Sequence, residues 1–94
     1  MAKNFEVRIA GMAFNQQNIT ISVGDSVTWI NDDGTTSGTT HTVTSDPGSP
    51  ISIPEIVLDP NVILYSPRQT FPTAGVFNYH CRIHQTMTGS VTVT

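Results

Sequence analysis

The stretch from Val76 to Val93, VFNYHCRIHQTMTGSVTV, decides the fold of this chain. Phe77, Tyr79 and Cys81 occupy every second position, which is the period of side chains on one face of a β-strand. Because two of the three are large aromatic residues, we expect this face to lie in the core, with Cys81 pointing inward at the end of the strand. Residues 90–94 alternate in the same way, so a second strand is predicted to follow after a loop.

The same alternation recurs upstream and predicts several more strands. They are placed around Phe5–Ile9, Ile19–Val23, Val27–Trp29, Thr42–Ser45 and Val62–Tyr65. Residues 46–61 contain four prolines and are predicted to be loop or edge strand, as is the segment after Pro67, because proline cannot donate to a sheet ladder. About seven or eight short strands separated by turns indicate an all-β fold, an antiparallel sandwich or barrel.

Length, charge and cysteine content exclude several classes of protein. The chain has 94 residues, 12% of them charged, and a net charge of −3, so residues 1–94 are predicted to form a single domain. Its few basic residues are scattered singly, which argues against nucleic-acid binding. No apolar run approaches the roughly 18 residues of a transmembrane helix, so no stable membrane insertion is expected. The single cysteine excludes an intramolecular disulfide, and a bound metal would supplement so small a core.

A cluster of candidate metal ligands follows the strand that ends at Cys81. Segment 81–87 also contains His84 and Met87, and the curvature of a loop there would bring both side chains back towards the thiol. His41 stands at the start of another predicted strand, and strands distant in sequence are often neighbours in a sandwich. We therefore predict that His41, Cys81, His84 and Met87 together bind one metal ion. His80 alternates with its neighbours and should face the other side of the sheet, so we interpret it as structural.

The identity of the predicted metal follows from the chemistry of these four side chains. Two imidazoles and a thiolate in a plane, with a weak axial thioether, form the ligand set of blue copper electron-transfer sites. Zinc prefers four firm ligands, and methionine is a poor fourth. The predicted cofactor is one type 1 copper ion cycling between Cu(II) and Cu(I). The alternatives are a copper storage or delivery protein, a structural zinc module and a type 1 copper domain excised from a larger redox protein.

No enzymatic activity is predicted from the sequence. Multicopper oxidases and nitrite reductases add further histidine-rich copper centres, and after the four candidate ligands only His80 remains unassigned. The chain also lacks a serine, histidine and aspartate set with a nucleophile turn. Electron transfer without bond chemistry is the simpler interpretation of a single mixed-ligand site.

The residues around the candidate ligands resemble those of cupredoxins, the family of type 1 copper proteins. The pattern YHCxxHxxMxGxVxV at residues 79–93 is similar to the copper loop of that family. Its two-residue gap before the methionine is most similar to the plastocyanin and amicyanin branch, with amicyanins closest. Residues 23–29 and 41–43 resemble the two other signatures of the family. Two positions depart from the usual pattern, because Thr42 stands where the family usually has Asn, and Arg82-Ile83 replaces a small polar residue followed by proline.

The resemblance implies an eight-stranded Greek-key β-sandwich and an electron carrier in the periplasm or another extracytoplasmic compartment. The start of the chain lacks the apolar stretch of a signal peptide, so we expect the signal sequence to be absent from it. Redox proteins are expected to dock transiently near His84, on a small apolar face that includes Ile83. We expect the protein to be a monomer.

Overall fold

A computed structural model describes residues 2–33 and 39–94; Met1 and residues 34–38 lie outside it. The described residues contain no α-helix and form nine strands: β1 (Asn4–Ala10), β2 (Ala13–Asn15), β3 (Asn18–Ile21), β4 (Ser26–Asn31), β5 (His41–Ser45), β6 (Ile56–Leu58), β7 (Gln69–Thr70), β8 (Gly75–His80) and β9 (Thr88–Val93). No helix in this part of the chain is long and apolar enough to cross a membrane.

The strands form two mixed sheets. One has the order β2-β1-β4-β7 and the other the order β3-β9-β8-β5-β6. Most neighbouring strands are antiparallel, but β1 runs parallel to β4 and β3 runs parallel to β9. The predicted all-β sandwich is therefore confirmed, with nine strands instead of seven or eight. Alternation along a strand reveals its buried face but not the direction of its neighbour, which is why the parallel pairs were not predicted.

Residues 60–62 form a turn and no strand runs through residues 62–65, so the strand predicted there is wrong. The backbone N–H groups of Val62 and Ile63 both donate to the carbonyl oxygen of Asp59, at 2.9 and 2.8 Å. Donors used within a turn cannot join a ladder. Contact with a sheet begins only at Leu64, whose carbonyl oxygen accepts from Asn31 of β4 at 2.8 Å, and Tyr65 forms a single bridge to β4. The proline-rich segment behaves as expected, because β6 and β7 both lie at sheet edges.

The core between the sheets is built around stacked aromatic side chains. Trp29, Phe77 and Tyr79 are fully buried. The Tyr79 ring is stacked on Phe77 with centroids 5.1 Å apart, and meets Trp29 edge-on at 5.5 Å and Phe14 edge-on at 4.8 Å. Burial raises the pKa of Tyr79 to about 12, so its hydroxyl stays neutral and the side chain acts as packing. These contacts fix β8, the strand that leads to Cys81.

The register of two strand pairs brings the candidate ligands to one end of the sandwich. β5 is antiparallel to β8, with Thr44 opposite His80, so the start of β5 lies beside the residues that follow β8. β8 is also antiparallel to β9, with His80 opposite Thr88. The loop that joins β8 to β9 therefore leaves and re-enters the sheet next to His41, the first residue of β5.

Candidate metal centre

Three donor atoms from β5 and from the loop after β8 converge on one point. The Cys81 sulfur lies 3.8 Å from Nδ1 of His41 and 3.6 Å from Nδ1 of His84. One donor atom from each of the three residues lies within 4.8 Å of the others. With metal bonds of about 2.0–2.1 Å to nitrogen and about 2.3 Å to sulfur, a sulfur and a nitrogen ligand at tetrahedral to trigonal angles would be separated by about 3.6–3.8 Å, and two nitrogen ligands by about 3.3–3.6 Å. Both sulfur–nitrogen distances match a shared metal ion, and the two imidazole nitrogens, within 4.8 Å of each other, need only a small adjustment to bind it.

Met87, the fourth predicted ligand, closes the loop that carries Cys81 and His84. The backbone N–H of Cys81 donates to the Met87 carbonyl at 3.0 Å, and the Met87 N–H donates to the His84 carbonyl at 2.9 Å. The Met87 side chain is buried. The loop is therefore tied at its base and turned back on itself, and this places a thioether-bearing residue beside the other three.

The two imidazoles of the site differ in exposure. His41 is fully buried, whereas His84 is partly exposed. Burial lowers the pKa of His41, and this effect exceeds the opposing influence of the carboxylate of Asp33, whose Oδ2 lies 3.0 Å from His41 Nε2. His41 is consequently neutral at physiological pH, the form that binds a metal.

A closed ring of hydrogen bonds fastens Arg82, the residue that follows Cys81. The backbone N–H of Arg82 donates to Oγ1 of Thr42 at 2.8 Å, and Thr42 Oγ1 lies 2.9 Å from Oγ1 of Thr44. Thr44 donates to Glu55 at 2.6 Å, and Glu55 also accepts from Nε of Arg82 at 2.8 Å. Since the Thr44 hydroxyl proton goes to the carboxylate, Thr42 must donate to Thr44. Thr42 thus ties the two ligand segments together, although the family usually has Asn at this position.

Glu55 also neutralises the charge that Arg82 brings to the loop. The guanidinium contacts both carboxylate oxygens, at 2.8 and 3.2 Å. Hydrogen bonds from Arg82, and then from Thr44, hold the pKa of Glu55 below its usual value, so the pair is doubly ionised at neutral pH and has no net charge. The pair is partly exposed to solvent, and its main effect is to hold the loop in place.

His80 faces away from the donor atoms. Its Nδ1 lies 2.5 Å from Oδ1 of Asp46, on the outer side of the sheet. Exposed apolar side chains at the metal end include Ile83, in the loop itself, and Met12, which lines a small surface cavity together with Met87.

We expect the Thr42 bridge, the hydrogen bond from the Arg82 backbone N–H to Oγ1 of Thr42, to contribute to stability. Thr42→Val keeps the shape of the side chain but removes the acceptor for the Arg82 N–H. We expect it to lower the free energy of unfolding of the apo-protein by about 1–3 kcal/mol, because a partly buried donor loses its partner. Urea denaturation measures this change. Thr28→Val is the control, since Thr28 bonds to Asn4 at the surface of the other sheet and its loss should cost less than about 0.5 kcal/mol. Equal stability of the two variants would contradict the assigned bridge.

Asp33, Thr44 and Glu55 support the site but were not identified from the sequence. All three act across strands or loops, so their partners depend on a register that alternation does not reveal. The signal available for Asp33 was its place in an adjacent acidic pair just upstream of His41, because metal-binding histidines commonly donate to a carboxylate.

The comparisons with known proteins agree with this geometry. The sequence model for copper-binding proteins of the plastocyanin/azurin family matches residues 1–94, while a search of curated proteins finds no match. Among solved structures, the reduced state of an amicyanin mutant with a proline-to-phenylalanine substitution has a TM-score of 0.77 and 29% identity, covering 96% of this chain and 81% of that one. A Cu(I) amicyanin mutant with methionine replaced by glutamine has a TM-score of 0.77 and 28% identity, with coverage of 97% and 82%. On the fold, the donor set and the family match, this chain belongs to the plastocyanin/azurin family of copper-binding proteins.

Proposed function

We propose that this protein transfers single electrons through one type 1 copper ion bound by His41, Cys81, His84 and Met87. The observation that carries the proposal is the convergence of one thiol and two imidazole nitrogens within 4.8 Å, closed by a methionine-bearing loop. Bound copper supplies the one-electron Cu(II)/Cu(I) couple. A thiolate, two imidazoles and a weak thioether suit both oxidation states, so the ligands need little rearrangement when the charge changes.

The protein's part is to hold these donors still. The aromatic core fixes β8, the Thr42 bridge and the Arg82–Glu55 pair fasten the loop, and the Thr42 backbone N–H lies 3.4 Å from the Cys81 sulfur and donates to it. A hydrogen bond to a thiolate disperses its charge and fixes its direction. An electron carrier needs its metal ligands to be held from several sides, because movement of the ligands would slow every electron transfer.

The burial of the ligands argues for an electron carrier over the two rival metal proteins. A storage or delivery protein needs exposed ligands that exchange, whereas His41, Cys81 and Met87 are buried here. A structural zinc module would use four firm ligands, and a thioether is a weak one. A single site with one mixed ligand set suits electron transfer without bond chemistry, so we propose that the protein is not an enzyme.

Electrons are proposed to leave through the partly exposed ring of His84. The docking face consists of His84, Ile83 and Met12, the last two being 48% and 44% exposed. A small apolar face suits brief encounters with redox proteins, which bury little surface. We further propose that residues 1–94 act as a single monomeric domain in an extracytoplasmic compartment such as the periplasm, as the resemblance to cupredoxins implies.

Electron self-exchange between two copies tests this docking face without a known partner. Ile83→Lys places a charge in the face, so two copies should repel there, and the self-exchange rate at low salt should fall about tenfold or more. Val23→Lys is the matched control, because Val23 is also 48% exposed but lies away from the docking face. Val23 comes just before the start of β4, whereas it is the other end of β4 that approaches the metal site. NMR line broadening in Cu(I)/Cu(II) mixtures measures the rates. Equal rates for the two variants would contradict docking at His84.

A further inference from the structure

We propose that Asp33 is a positioning residue for the metal site, which fixes the tautomer of His41 and attaches its ring to the turn between β1 and β2. The inference rests on the proposed function, since it concerns the histidine proposed to bind copper. The carboxylate is 13% exposed and its Oδ2 lies 3.0 Å from Nε2 of the fully buried His41. It comes from the segment after β4, so it holds His41 from outside the ligand strand and loop.

The tautomer follows from what a carboxylate accepts. Ionised Asp33 has no proton to give, so neutral His41 must carry its hydrogen on Nε2 and donate it to the carboxylate. The unprotonated nitrogen is then Nδ1, which faces the Cys81 sulfur at 3.8 Å. Asp33 therefore presents the Nδ1 lone pair to the metal position before any metal binds. Without this carboxylate, both tautomers compete, and one of them cannot bind a metal through Nδ1.

The same carboxylate holds the turn next to the proposed docking face. Its Oδ1 accepts from the backbone N–H of Gly11 at 2.9 Å, and its Oδ2 accepts from the backbone N–H of Met12 at 3.0 Å. Both turn residues have positive φ, 62° for Gly11 and 59° for Met12. A left-handed conformation is unfavourable for a residue such as methionine, so these two hydrogen bonds help to offset the conformational strain at Met12. One side chain thus couples Met12 at the surface to His41 in the interior.

A negative charge on the far side of a ligand also affects the two copper oxidation states unequally. A carboxylate that accepts from a metal-bound imidazole raises the basicity of that ligand. The more highly charged Cu(II) gains more from a basic ligand than Cu(I) does. Asp33 is therefore expected to lower the reduction potential of the site.

The tautomer is tested in the apo-protein, where copper plays no part. In wild-type protein, nitrogen-15 NMR at neutral pH should show the His41 proton on Nε2. Asp33→Asn should give a mixture of tautomers and at least about tenfold faster hydrogen exchange at the Gly11 and Met12 amides. Asp32→Asn is the matched control: it removes the same charge from the neighbouring residue, whose carboxylate bonds to Arg8 at 3.1 Å at the surface. A wild-type proton on Nδ1, or an Asp33→Asn spectrum and exchange identical to those of Asp32→Asn, would overturn the proposal.

The potential of the copper-loaded variants tests the electronic effect separately. Loss of a partner of a metal-binding histidine typically costs tenfold or more in affinity. A tenfold loss specific to Cu(II) would raise the potential of Asp33→Asn by about 59 mV for a one-electron couple. Asp33→Glu keeps the negative charge, so its reduction potential should lie close to that of the wild-type protein. A reduction potential of Asp33→Asn equal to that of the wild-type protein would overturn this effect. If the wild-type protein binds no copper, the proposed function fails. The NMR and hydrogen-exchange measurements on the apo-protein still test separately whether Asp33 positions the His41 ring and the turn.

Discussion

Cys81→Ser is expected to abolish the visible absorption of the copper-loaded protein completely while leaving the sandwich folded. The colour of a type 1 site comes from charge transfer between thiolate and copper, and serine offers no thiolate. The buried hydroxyl should cost the apo-protein about 1–3 kcal/mol of stability, since the side chain is fully buried and its new polar atom must find a partner. Absorption spectra after addition of one equivalent of Cu(II), with urea denaturation of the apo-protein, measure both effects.

His80→Asn is the matched control for the loss of colour. His80 precedes Cys81 in the chain, but its ring is turned to Asp46 on the outer side of the sheet. This variant should therefore keep the full absorption of the wild-type protein. Colour that survives Cys81→Ser, or disappears in His80→Asn, would show that the wrong residue has been assigned.

Gly89→Ala is expected to be among the most destabilising single substitutions in this protein. A Cβ at Gly89 would lie 2.5 Å from both Cζ and the hydroxyl oxygen of Tyr79, well inside van der Waals contact. The ring has no room to retreat, because Phe77, Trp29 and Phe14 pack around it. Overpacking usually costs about 1–3 kcal/mol, and the immobility of this ring leads us to expect about 3 kcal/mol or more. A shifted β8 would also displace Cys81, so the copper spectrum should change.

Two further variants separate this clash from other effects of removing a glycine. Gly48→Ala changes a glycine with a φ of 78° whose added Cβ would meet no atom within 4 Å, so it should cost only the conformational strain of about 1–2 kcal/mol. Gly89→Ala combined with Tyr79→Leu should cost less than the sum of the two single changes, because the smaller side chain removes the clash. Strict additivity would contradict the steric explanation.

Patterns within single strands predicted much of this fold. Alternation placed Phe77 and Tyr79 in the core and turned His80 outward, because the side-chain period of a strand is a local property. The spacing of Cys81, His84 and Met87 in one short loop predicted that they would lie together. His41 was the harder prediction, since its place depends on β5 pairing with β8, and only the sandwich architecture and the family resemblance indicated it.

Features that depend on pairing between distant segments were not predictable in the same way. Asp33 reaches both His41 and the Gly11–Met12 turn, and neither contact is encoded in the residues next to it. Residues 62–65 have the composition of a strand, yet the turn that begins at Asp59 uses the backbone donors of Val62 and Ile63 first. Local propensity was overridden there by two hydrogen bonds to a carbonyl oxygen three and four residues earlier in the chain.

Titration of the wild-type apo-protein with Cu(II), followed by reduction, tests the central claim most directly. The account predicts that one equivalent of Cu(II) per chain produces an intense blue or green colour, and that one electron per chain removes it reversibly. Zinc should bind without colour and should be displaced by copper, in keeping with the order of metal affinities. A protein that stays nearly colourless with copper bound, or that needs more than one copper ion per chain, would contradict a single type 1 site formed by His41, Cys81, His84 and Met87.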